Sequence, residues 1–215
     1  MGIIYHNSVS VIRDKKFFTL TLKKGSLKLG LFAVFFVLFI ISIYTAVMRY
    51  NSDINYKAAL RYEGQGMLSE AWQFAKESVD YWPYRSRTKF DAARIGKKFY
   101  VSSPTEENFK NAWEYNEIAL NAFPNHYMLM VNKITLAMYS KDKSLLGEME
   151  EYIPNLLKSA PTADMDSAEE MAGQIYLYKG KTTQALELFR KLAAKNPDRE
   201  DYKRVLNKLG SSSVQ

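Results

Sequence analysis

A run of twenty uncharged residues, Leu29 to Met48, is the feature that most limits how this chain can fold. An α-helix rises about 1.5 Å per residue and the hydrocarbon core of a bilayer is about 30 Å thick, so about 20 apolar residues cross it. A buried core helix is usually shorter and keeps a polar stripe, and a cleaved signal peptide ends its apolar region in small residues. Because this run is long and ends in Val47, Met48 and Arg49, we predict an uncleaved membrane-spanning helix at 29–48, a signal anchor.

Basic residues are concentrated around this run. Up to Tyr50 the chain has seven basic residues and one acidic residue, whereas the remainder carries 23 basic and 22 acidic side chains. Lys and Arg close to a span resist translocation and stay in the cytoplasm. We therefore expect residues 1–28 to be cytoplasmic and the region after the span to be extracytoplasmic, which in a bacterium means the inner membrane and the periplasm. Because that region is nearly neutral, nucleic acid is not expected as a partner.

The residue types that most enzymes use for catalysis are scarce. The chain has no cysteine and two histidines, His6 and His126. Disulfides, thiol catalysis and cysteine-ligated zinc are therefore excluded, and a histidine-based metal site or catalytic triad has almost no material. No glycine-rich phosphate loop or hydrolase motif is present. We expect no enzymatic activity, no cofactor and no metal, and we expect His126 to be a surface or helix-capping residue.

Two segments after the span share one pattern. The first segment has Ala59, Tyr62, Gly66, Ala71, Ser78 and Pro83, and the second has Gly173, Tyr176, Gly180, Ala185, Leu192 and Pro197, at the same spacings. Small residues allow two helices to approach closely, glycine ends the first helix in a turn, and proline stops the second. The pattern resembles the tetratricopeptide repeat (TPR), a helix-turn-helix unit of about 34 residues.

The sequence between these copies matches the repeat less well. Ala92 and Ala93 keep the small positions of a second unit, but Gly96 stands where tyrosine is expected, and an insertion precedes its second helix. Ser103, Pro104 and Glu106 in that insertion resemble a capping box. A third unit pairs residues 128–139 with 144–159, and Pro154 is expected to kink or end its second helix.

The sequence therefore predicts an all-α chain. It divides into a cytoplasmic basic segment at 1–28, a transmembrane helix at 29–48, a TPR-like domain at 52–209 and a disordered tail at 210–215. The domain is expected to be a short right-handed α-solenoid of about four helix pairs, closed by a capping helix at 199–209.

The resemblance also implies where a partner would bind. In TPR proteins the inner helices line a concave groove that commonly holds a peptide or a partner helix, so a scaffold or adaptor in an envelope assembly is expected. The second unit carries a basic cluster that could hold an acidic peptide. By register, the candidate groove residues are Tyr56, Leu60 and Glu63 in the first unit, Phe90, Arg94 and Lys97 in the second, Asn132 in the third, and Glu170 and Gln174 in the last.

Two alternative functions remain open. A span followed by a helical-repeat tail with an aromatic-proline phrase, YWPY at 81–84, resembles the C-terminal region of bacterial O-antigen ligase and polymerase proteins. The chain would then be an accessory or terminal portion of a glycan enzyme whose chemistry resides in other spans. The second alternative is a membrane-tethered, chaperone-like assembly factor that binds an unstructured client.

Overall fold

The computed structural model describes residues 24–212. Most of the predicted cytoplasmic segment, residues 1–23, and the last three residues of the predicted tail lie outside this range. By its internal contacts the chain divides into two units, Met1–Thr45 and Ala46–Gln215. Each described element is helical, and no strand occurs between residues 24 and 212.

The helices follow one another with short connections. In chain order they are α1 (Lys24–Gly64), α2 (Leu68–Tyr81), α3 (Ser86–Ser102), α4 (Glu106–Ala122), α5 (Tyr127–Tyr139), α6 (Ser144–Glu148), α7 (Ile153–Ser159), α8 (Met165–Tyr178), α9 (Thr182–Lys195) and α10 (Glu200–Ser212). The predicted all-α architecture is confirmed for the described residues, with an apolar N-terminal helix followed by packed helix pairs.

In the N-terminal part, Met1–Thr45, the described residues belong to α1 and carry exposed apolar side chains. Phe32 and Phe39 are 69% and 62% exposed. Among the described helices, α1 is the one that is long and apolar enough to cross a membrane, and its most apolar stretch has a mean hydropathy of 2.6.

In the C-terminal part, Ala46–Gln215, consecutive helices pack as antiparallel pairs. The second part of α1 pairs with α2, α3 with α4, α5 with α6 and α7, and α8 with α9, and α10 packs on α9. Ser52 and Ser78 join the first pair: the Ser52 hydroxyl donates to the Ser78 carbonyl at 2.8 Å, and the Ser78 hydroxyl donates to the Ser52 carbonyl at 3.0 Å. These reciprocal bonds satisfy two buried hydroxyls.

The two well-matched copies end their first helix in the same turn. Gly66 and Gly180 adopt φ values of 77° and 71°, a region that favours glycine because it has no Cβ. The following N–H donates back five residues, from Met67 to the Tyr62 carbonyl and from Lys181 to the Tyr176 carbonyl, at 3.0 and 2.8 Å. This is the Schellman arrangement, and it confirms the turns that the sequence pattern predicts.

Glycine also brings neighbouring helices close together. A Cβ added at Gly96 on α3 would lie 2.8 Å from Trp72 Cζ3, and one added at Gly173 on α8 would lie 2.8 Å from Phe189 Cε2. Glycine replaces the expected tyrosine at position 96 because the Trp72 ring already fills that space. Trp72 is 3% exposed, so its ring is part of the packing between helices.

The third pair is irregular, as Pro154 predicts. Its second helix is divided into α6, a 3₁₀ turn at Met149–Tyr152, and α7, and Pro154 lies in the first turn of α7. Proline is tolerated there because the first N–H groups of a helix have no intrahelical acceptor.

The predicted capping box at Ser103 is wrong. Ser103 ends α3, and its N–H donates to the Phe99 carbonyl. Thr105 is the N-cap of α4, because its hydroxyl accepts from the Asn108 N–H at 3.1 Å. At the C-terminus, α10 continues three residues beyond the predicted end, to Ser212.

The contact between Gly96 and Trp72 gives a direct stability test. We expect Gly96→Ala to lower the free energy of unfolding by about 1 to 3 kcal/mol, because the new methyl group overpacks the helix contact. Gly64→Ala is the matched control: nothing lies within 4 Å of its added Cβ, so it should be neutral or stabilising. Denaturant unfolding of the full chain in detergent, followed by circular dichroism, measures both; equal effects would contradict the packing described here.

Candidate partner-binding surface

Several predicted groove residues form one polar network between α1 and α3. The Tyr56 hydroxyl donates to Asp91 Oδ2 at 2.9 Å. Arg94 donates from Nη2 to Asp91 Oδ1 at 3.0 Å and binds both carboxylate oxygens of Glu63, one of them at 2.6 Å. Lys98 Nζ donates to the same Glu63 at 2.8 Å. Arg94 is therefore neutralised within the chain, which spacing alone did not reveal.

The charges in this network shift its pKa values. Burial alone would raise the pKa of Glu63, but hydrogen bonds from Arg94 and Lys98, with the charges of those side chains, outweigh it, and the pKa lies below its ordinary value of 4.5. Hydrogen bonding to Glu63 raises the pKa of Arg94, against the opposing effect of burial. Glu63 and Arg94 therefore both stay ionised at neutral pH.

Lys97 differs from its basic neighbours. None of the described carboxylates forms a salt bridge with it, and burial, followed by the charges of Lys98 and Arg94, lowers its pKa. It lines a pocket of about 360 Å³ between α2, α3 and α5, together with Leu68, Lys98, Val101, Ser102, Thr135 and Tyr139. A half-buried cation without a counter-charge beside apolar side chains is suited to bind an anionic group that carries an apolar neighbour.

Phe90 lies apart from this pocket. Its ring centroid is 4.8 Å from that of His126, which is 6.0 Å from that of Phe123. Ser86 and Arg87 complete an open cavity of about 380 Å³ with these rings. His126 is exposed and occupies the N-cap position of α5, as the sequence predicts.

Three other predicted residues are engaged or buried within the chain. Asn132 is 0% exposed, so the accessible surface excludes it. Glu170 accepts from the Tyr202 hydroxyl of α10 at 2.9 Å and from Gln174 Nε2 at 3.4 Å. The capping helix therefore contacts the face of α8 that the register assigned to the groove. Leu60 is half-buried on α1.

The structure contains a further pocket that the sequence did not predict. It has a volume of about 500 Å³ and lies between the insertion after α3 and the α5–α6 loop. Its lining residues are Tyr100, Pro104, Thr105, Glu106, Phe109, Tyr139, Ser140, Lys141, Asp142 and Leu145. The aromatic residues before and after the insertion were the available signal, but spacing alone did not show that they meet Tyr139.

Comparison with known proteins identifies the fold. No protein-family model and no curated protein matches the sequence. Among solved structures, MamA (residues 41 to the end) from Desulfovibrio magneticus RS-1 aligns with a TM-score of 0.62 at 15% identity, over 76% of this chain and 86% of that one. YrrB, a TPR protein with an unusual peptide-binding site, aligns at 0.59 and 16% identity, over 74% and 76%. The fold is that of a TPR protein.

A third similar structure supports this conclusion. A kinesin-light-chain-like protein of Podospora anserina with nearly identical TPR-like repeats aligns with a TM-score of 0.52 at 17% identity, over 77% of this chain and 89% of that one. Identities this low establish the fold and leave the partner open.

The ion pairs of Glu63 predict a pH dependence. A carboxylate whose pKa is lowered on folding contributes stability that is present above its unfolded pKa and lost as the pH falls through its folded pKa. We expect Glu63→Gln to destabilise the chain by about 1 to 2 kcal/mol at neutral pH. Below pH 4.5 the difference from the unmodified chain should shrink.

Glu187→Gln provides the control, because Glu187 is an exposed residue of α9. Urea unfolding at several pH values measures both variants. A Glu63→Gln penalty that stays constant down to acid pH, or a control that behaves in the same way, would contradict the proposed ion pairing.

Proposed function

We propose that this chain is a single-span membrane protein whose extracytoplasmic solenoid holds a protein partner in an envelope assembly. In this proposal residues 29–48 cross the inner membrane with the N-terminus in the cytoplasm, and the domain acts by binding rather than by catalysis. The observation that carries the proposal is the combination of an exposed apolar helix with a TPR fold that has a free half-buried cation on its surface.

The membrane anchor is supported by exposure and by charge. The apolar side chains between Leu29 and Val47 are exposed and are not covered by other described residues. Exposure of so many apolar side chains to water would be unfavourable. A bilayer removes that cost, and the basic residues before the span favour the proposed orientation.

The binding site is supported by the Lys97 pocket. Leu68, Val101 and Tyr139 supply apolar walls, and Lys97 supplies a positive charge that the described residues do not neutralise. A peptide that presents a carboxylate beside an apolar side chain satisfies both features. An acidic segment of the partner would bind here, and the Glu63–Arg94 ion pair would hold α3 against α1.

A peptide titration tests this site. We expect peptides that end in an apolar residue with a free carboxylate to bind the full chain in nanodiscs, and we expect their amidated forms to bind more weakly. Lys97→Met should weaken binding about tenfold or more, which corresponds to about 1.4 kcal/mol. Binding should also weaken as salt is added, because salt screens exposed charges.

The matched control is Lys110→Met, which removes an exposed lysine of α4 and should leave the dissociation constant unchanged. Fluorescence anisotropy measures each titration. Equal affinities for the free and amidated peptides, or equal losses in the two lysine variants, would exclude Lys97 as the anion-binding group. The glycan-enzyme and chaperone alternatives stay predictions from the sequence.

A further inference from the structure

Several aromatic side chains lie near the end of α2, in the α2–α3 loop and on the facing part of α1. The loop between α2 and α3 contains Trp82, Pro83 and Tyr84, and Tyr84 is 78% exposed. Tyr81 at the end of α2 and Tyr50 on α1 are 38% and 67% exposed. We call Tyr50, Tyr81, Trp82 and Tyr84 the aromatic collar.

The α2–α3 loop contacts α1 at Arg49 and Asp53. The guanidinium carbon of Arg49 lies 4.7 Å from the centroid of the Trp82 ring, and the Trp82 and Tyr84 rings are 5.1 Å apart. Arg85 forms an ion pair with Asp53, one helical turn after Arg49. Because Arg49 directly follows the apolar run that ends at Met48, the collar lies where the proposed span ends.

The charges around the collar are mainly positive. Arg49 stacks on Trp82 and forms no salt bridge with any described carboxylate, and the Arg85 and Arg87 guanidinium carbons lie 5.1 and 5.9 Å from the Tyr56 ring centroid. Of these three arginines, Arg85 is the one paired with an acid. A cavity of about 290 Å³, lined by Arg49, Ser52, Asp53, Trp82 and Arg85, opens beside them.

We infer that the aromatic collar lies in the interfacial layer of the membrane, at the leaflet from which Arg49 emerges, with Arg49 at the level of the lipid phosphates. This inference rests on the proposed membrane span. Trp and Tyr rings are enriched at membrane interfaces because their apolar bodies face the acyl chains and their polar atoms face water. Arginine beside them is attracted to anionic headgroups.

The position of the collar favours lipid over a protein partner. A surface held to the first residue after a membrane span meets headgroups without any further binding partner. The collar would hold the first helix pair against the bilayer surface at two points, the span and the α2–α3 loop. The Lys97 pocket, which the collar residues do not line, would stay accessible to a peptide.

The absence of cysteine allows a clean test by site-specific labelling. Leu38→Cys, Tyr84→Cys and Tyr178→Cys are each labelled with an environment-sensitive dye, and the full chain is reconstituted in vesicles of phosphatidylcholine and phosphatidylglycerol. In separate vesicle samples, some of the lipids carry a nitroxide quencher either near the headgroup or near the end of an acyl chain. Tyr178 is the matched control, an exposed tyrosine in the last repeat.

The inference predicts that lipid-borne nitroxide quenches the label at position 84 several-fold more than the label at position 178. If position 38 is quenched while 84 and 178 behave alike, the span is retained and the collar is excluded from the interface, as expected for a protein-binding loop. If position 38 is protected from lipid quenchers, the proposed span fails, and the collar fails with it.

Native tryptophan fluorescence provides a second measurement without labels. Brominated lipids should quench part of the emission, and Trp82→Phe should remove most of that quenchable part. Trp113→Phe should retain it, because Trp113 is half-buried against Phe109 and Lys133. A quenchable fraction that survives Trp82→Phe would overturn the inference.

Discussion

Close approach of neighbouring helices at small residues is the constraint on which the solenoid depends. Gly96 and Gly173 each accept a large ring from an adjacent helix, Trp72 and Phe189 respectively, at a distance that leaves no room for a Cβ. The Trp72 ring of the first pair covers apolar surface that the second pair would expose alone, which explains why these two pairs must stack, whereas the Phe189 contact holds α8 and α9 together within one pair. The same packing brings α3 close to α1 and α5, where the Glu63 network and the Lys97 pocket form.

The fold could be predicted from the sequence because its determinants are local and repeat at fixed spacings. Gly66, Gly180 and Pro154 each determine the backbone within a few residues of their own position. The length of the apolar run can be counted directly in the sequence. The N-cap of α4 was placed incorrectly because Ser103 and Thr105 are both suitable capping residues. The choice depends on where α3 ends, which is decided by packing.

The candidate site was less predictable because charge pairing depends on distances between helices. Spacing placed Arg94 and Lys97 on a similar face of α3, yet Glu63 neutralises Arg94 and leaves Lys97 without an acidic partner among the described residues. In the last unit, Tyr202 of α10 binds Glu170, so a capping helix contacts a face that register alone left open. A binding surface of this kind is defined by what the fold leaves unpaired.

The residues directly after the apolar run form the first helix of the solenoid, and the other helix pairs build on it. The cysteine-free chain tests it through the Ser52→Cys, Ser78→Cys double variant, since the two hydroxyl oxygens lie 3.3 Å apart and a disulfide tolerates little displacement. Oxidation in isolated membranes should give a rapid intramolecular crosslink, measured by gel mobility. The pair Ser52→Cys, Gln73→Cys should stay uncrosslinked because Gln73 is on the exposed side of α2. Equal crosslinking of the two pairs, or none in either, would contradict the claim.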